Sequence, residues 1–124
     1  MQYMLMIYED ESGYTTEEAW TDIVAQHVAL AQALVAEGVS FSGNALQPNQ
    51  AATTVRRTGG QVTLHDGPFA ETKEQLGGYY IVDVPDLDAA IAWAKRIPLA
   101  KNGSIEVRPV MAAPAEATPA SAAA

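Results

Sequence analysis

From Tyr3 to Tyr8 the chain is apolar on both alternating sets, Tyr3/Leu5/Ile7 and Met4/Met6/Tyr8. Such a run predicts a strand with both faces covered. The polar stretch Glu9-Asp10-Glu11-Ser12-Gly13 turns the chain, and the periodicity then changes. Trp20, Ile23, Val24, His27, Leu30, Ala31, Leu34 and Val35 recur at helical spacing. Thr15 with Glu18 forms a capping-box pattern at the start of this helix, and Gly38 ends it.

Val39 to Leu46 reads as a second strand interrupted by Gly43, and Pro48-Asn49-Gln50 turns the chain again. Thr53–Thr58 and Gln61–His65 flank Gly59-Gly60, a hairpin signal because glycine accepts the positive φ of tight turns. After Asp66-Gly67-Pro68-Phe69, the pair Thr72 and Gln75 repeats the capping pattern and predicts one helical turn over Thr72–Leu76. Tyr79–Val84 is a strand, Asp86 caps a second helix striped by Leu87, Ala90, Ile91, Ala94 and Ile97, Pro98 stops it, and Ser104–Val110 is the last strand. The order is that of an α+β, ferredoxin-like β-α-β-β-α-β domain with an extra hairpin. Residues 1–110 make this single domain, and 111–124 form an Ala/Pro-rich tail of low complexity. Two helices cover only one face of such a sheet, so the apolar second face predicts a homodimer.

Composition narrows the function classes. At 124 residues with 48% hydrophobic content the chain builds one core. Fifteen acidic against seven basic residues, a net charge of −8, argue against nucleic acid or an anionic membrane as partner. No apolar run reaches the ~20 residues of a membrane span, and the first residues lack the pattern of a secretory signal. With no cysteine, the expectation is a cytoplasmic protein.

Chemistry concentrates at two places. His27 occupies an apolar stripe, where it reads either as a buried, hydrogen-bonded imidazole or as a general acid/base lining a cavity. Asp66 lacks the amide that an aspartate normally engages two positions on, because that position is Pro68. Its carboxylate is directed to the amides of Phe69 or Ala70, or outward to a ligand or to His27. In the first case Phe69 anchors the loop in the core. The amides of a Thr72–Leu76 turn would favour an anion nearby. Phe69, Thr72, Lys73 and Tyr8 are the candidate ligand contacts, although Lys73 with Glu71 and Glu74 also fits a solvated face. Two histidines without an acidic cluster predict no metal site, and no cofactor motif is present.

The run Asp66-Gly67-Pro68-Phe69-Ala70-Glu71-Thr72-Lys73-Glu74-Gln75-Leu76-Gly77-Gly78-Tyr79-Tyr80 resembles the signature of the DGPF branch of the YCII-related family. Gly43-Asn44-Ala45-Leu46-Gln47-Pro48, Val84-Pro85-Asp86-Leu87-Asp88, Arg96-Ile97-Pro98 and Glu106-Val107-Arg108-Pro109-Val110 resemble it too. The resemblance implies a dimeric α+β barrel with a pocket holding a helix histidine, which carries to His27, and an aspartate, carried here to Asp66. Some relatives act on chlorinated aromatic compounds, and many of this branch occur beside extracytoplasmic-function sigma factors. Two readings follow: a cofactor-independent enzyme acting on a small-molecule ligand, and a non-catalytic ligand-binding or regulatory domain.

Overall fold

The computed structural model describes residues 1–112. Its elements in chain order are β1 (Gln2–Glu9), a 3-10 turn (Glu11–Tyr14), α1 (Glu17–Ala36), β2 (Ser40–Ala45), a 3-10 turn (Asn49–Ala51), β3 (Thr53–Thr58), β4 (Gln61–Asp66), β5 (Gln75–Asp83), α2 (Leu87–Ala94) and β6 (Gly103–Pro109). The main sheet runs β2-β5-β1-β6, antiparallel throughout, and β3-β4 form a separate two-stranded hairpin. This α+β arrangement of two helices and antiparallel sheets is compatible with a ferredoxin-like fold. The tail from 113 onward lies outside the described residues. Among the described residues, no helix is long and apolar enough to cross a membrane.

The register sorts the sheet into two faces, because residues directly opposite one another share a side. Tyr3, Leu5 and Ile7 stand beside Val82, Tyr80 and Gly78 of β5 and beside Val107 and Ile105 of β6. This face carries the core, in which Leu5, Leu34 and Val82 are almost wholly buried beside Trp93 and Ile97. Met4, Met6 and Ile81 lie on the opposite face, half-buried.

Local chemistry explains the boundaries. The N-cap of α1 is Thr16, one residue beyond the expected Thr15, with its hydroxyl accepting from the Ala19 amide at 3.1 Å. Gly38 closes the helix at φ +74°, and Asp86 caps α2 by accepting from Ala89 at 2.9 Å. Gly59 and Gly60, at φ +56° and +83°, make the two-residue turn between β3 and β4.

The helical turn expected over Thr72–Leu76 does not form. β5 begins at Gln75, which pairs with Glu9 across the ladder. The Gln75 side-chain amide donates to the Ala70 and Thr72 carbonyls at 2.8 Å, whereas a capping box would turn it to the helix N-terminus. The anion site built on free amides of that turn goes with it. Phe69 does not anchor the loop in the core either. Its ring is 76% exposed, with the Arg56 guanidinium 5.5 Å above it. The anchor is Gly67, which donates its amide to Ala52 at 2.7 Å and accepts from the Thr54 hydroxyl at 2.8 Å.

Candidate functional site

The helix-facing side of the sheet is bulky at one end and nearly bare at the other. Under the C-terminal half of α1 lie Leu5 and Val82, and Leu30 and Leu34 pack down onto that core. Under the N-terminal half the paired positions are Gly43 opposite Tyr80 and Ala45 opposite Gly78. Gly43, Ala45 and Gly78 fill little of this space, Tyr80 alone of the four reaches the helix, and a cleft of about 920 Å³ opens between α1, β2 and β5. Such a volume falls in the range of small-molecule sites. Trp20, Val24 and Val28 line it from the helix and remain exposed, so part of the helical stripe faces this hollow instead of a packed core.

His27 lies on the cleft wall, half-buried. Its Nδ1 is 2.7 Å from the Tyr80 hydroxyl, and the two rings stack with centroids 5.8 Å apart. Burial lowers the imidazole pKa and raises that of the phenol, so both groups are held neutral. With a neutral ring, either the Tyr80 O–H donates to Nδ1 and the ring proton resides on Nε2, or Nδ1–H donates to the phenol oxygen and Nε2 carries the lone pair. No buried side-chain nitrogen or oxygen lacks a partner among the described residues, so Nε2, which has no protein partner there, faces the cleft.

A second polar pair, Glu9 and Tyr14, lies on the same wall. The Tyr14 hydroxyl donates to Glu9 Oε1. Burial pushes the Glu9 carboxyl up from its ordinary value, and burial together with the adjacent carboxylate pushes the Tyr14 phenol up far more. Gly77 admits this carboxylate, since a Cβ there would stand 2.9 Å from Glu9 Oε2. Glu11 sits at the rim and accepts the Asn49 amide at 2.7 Å.

The other sequence-predicted residues lie elsewhere. Asp66, Thr72 and Lys73 surround a separate, shallow hollow of about 590 Å³ together with Pro68 and Glu71. The structure therefore does not bring Asp66 to His27. The partner of the imidazole is a phenol on β5. Tyr8 lies on the open face of the sheet, its hydroxyl 3.9 Å from Met6 Sδ, and Phe69 lines neither hollow. Sequence reasoning missed Glu9, Glu11 and Tyr14. The one available signal was an acidic turn directly following an apolar strand, and that pattern is common to most turns.

The family model of the YCII-related domain matches residues 1–114. The chain belongs to the YCII-related family. An uncharacterized protein of Rhizobium meliloti (strain 1021) is 38% identical to it over 117 residues, covering 89% of this chain and 92% of that protein. No activity comes with either match, so function has to be argued from the cleft.

The His27 environment has a consequence for stability. Its folded pKa lies below the ordinary value of 6.5, so as pH falls the unfolded chain takes up the proton first. Stability is therefore complete above that value and declines below it. Glu9 has the opposite sign, because its raised folded pKa favours the fold in acid and costs stability as pH rises through that value. Between about pH 7.5 and 5.5, the melting temperature of the native protein is expected to fall relative to that of His27→Gln. Parallel melting curves for the two proteins would remove His27 as the source.

Proposed function

We propose that this YCII-related protein is a cofactor-independent enzyme of the DGPF branch, acting on a small, largely apolar molecule held in the cleft, with His27 as the acid/base. One observation carries the reading: Tyr80 occupies Nδ1, which leaves Nε2 turned to an open, mostly apolar hollow. In the tautomer whose Nδ1–H donates to the Tyr80 oxygen, Nε2 takes a proton from a bound molecule as base, the imidazolium so formed keeps its Nδ1–H bond to Tyr80, and its Nε2–H returns the proton as acid. Desolvation lowers the imidazole pKa, so the resting ring is a neutral base near neutral pH and its imidazolium hands the proton on readily.

The test uses benzyl alcohol as a neutral aromatic probe. Titration into uniformly 15N-labelled protein is expected to shift the His27 Nε2 and Trp20 indole resonances, and Ala31→Trp, which fills the cleft, is expected to abolish both shifts. Shifts that survive in the filled variant would place the probe elsewhere and end the reading.

The protein also acts as a homodimer in this proposal, with the open sheet faces of two copies packed together. Met4, Met6 and Ile81 supply an apolar centre, and Ser42, Asn44, Glu106 and Arg108 supply a polar rim. Glu106 and Arg108 pair within one chain and, across a two-fold axis, can exchange that pairing between copies.

The regulatory reading has one observation in its favour. The β3-β4 hairpin exposes Val55, Val62 and Leu64, with Val55 directly opposite Leu64, and a lone hairpin is marginal without something to pack on. A cleft ligand that binds and is never consumed would favour it over catalysis.

A further inference from the structure

We propose that the cleft selects molecules carrying a positively charged amine or quaternary ammonium group on an apolar or aromatic body, and rejects carboxylates. The inference rests on the cleft being a ligand site and adds the chemistry of what fits there.

Three features of the lining converge. Aromatic residues border the hollow, Tyr14, Trp20, Phe41 and Tyr80 among them. Trp20 is half-exposed at the wall, and Tyr14 meets it edge-on at 5.7 Å, so the indole is braced while still open to the hollow. Aromatic faces attract cations by their quadrupoles, tryptophan most strongly. The second feature is formal charge. Glu9 and Glu11 are the carboxylates of the lining, and no lysine or arginine is among the lining residues. Lys101 is turned to Asp10 at 3.9 Å and to the Ser12 hydroxyl at 3.0 Å. The third feature is His27, held neutral and therefore supplying no counter-charge to an anion.

An anionic ligand entering this hollow would lose its hydration and gain no cation, whereas an ammonium exchanges water for carboxylates and ring faces. The net charge of −8 on the chain adds a long-range field of the same sign preference.

The experiment compares three probes of one shape on the full chain: benzyltrimethylammonium, benzyl alcohol and benzoate. Binding is read by Trp20 fluorescence, with Trp20→Phe as the blank for the buried Trp93. The ammonium is expected to bind about tenfold more tightly than the alcohol, and benzoate more weakly than either. Glu9→Gln combined with Glu11→Gln is expected to narrow the gap between ammonium and alcohol. Raising the salt concentration on the native protein should do the same, and this arm needs no variant to fold. Equal binding of all three probes, or benzoate binding best, would overturn the charge preference while leaving the cleft as a ligand site. Failure of every probe to bind would overturn both.

Discussion

Gly43→Val is expected to destabilise the protein by about 1–3 kcal/mol and to part Tyr80 from His27. On intrinsic preference alone the change should help, since valine favours strands by up to ~1 kcal/mol. Geometry decides otherwise. A Cβ at Gly43 would stand 2.6 Å from the Tyr79 carbonyl oxygen, 3.3 Å from Tyr80 Cα and 3.1 Å from Tyr80 Cδ1. Two of these three are backbone atoms, so no rotamer change relieves the contact, and β2 must lift from β5. The Tyr80 ring moves with it, and the 2.7 Å bond to His27 Nδ1 is lost. Urea denaturation reads the stability, and 15N titration of His27 reads the lost bond. A variant as stable as the native protein, with an unchanged His27 titration, would show that the strand edge yields at no cost.

The same glycine shows why the site was hard to see in the sequence. Elements governed by neighbours a few residues apart were legible: the α1 stripe, the Gly38 stop, the Gly59-Gly60 turn and the Asp86 cap all depend on local geometry. Thr72 and Gln75 carried an equally good local signal, and there the β-ladder prevailed because Gln75 is bound to Glu9 on β1. The cleft has no local signature at all. It exists because Gly43 and Ala45 on β2 face Tyr80 and Gly78 on β5, and the His27–Tyr80 bond spans 53 positions. His27 could be singled out as a polar group in an apolar stripe, and a strand tyrosine is one partner the sequence allows, but which of Tyr8, Tyr79 and Tyr80 reaches it depends on the fold. Asp66 was selected by a missing turn amide, a local fact that says nothing about distance to an imidazole on another element.

Ile81→Glu tests the pairing of sheet faces and carries the largest expected effect. Ile81 sits on β5 opposite Met4 of β1 and Ser42 of β2, at the middle of the open face and away from the Glu106–Arg108 pair. In a lone chain this face meets water, so a carboxylate there costs the monomer little. In a dimer packed through it, two carboxylates are buried, one from each copy. Desolvation amounts to several kcal/mol per ion, and the positions paired with Ile81 within the chain, Met4 and Ser42, carry no positive charge. A loss of about 4 kcal/mol weakens association roughly a thousandfold. Sedimentation equilibrium should therefore show native dimer and variant monomer at the same micromolar concentration, with matching circular dichroism spectra. A native protein that sediments as a monomer would end the dimer reading, and a variant that stays dimeric would place the contact surface somewhere other than this face.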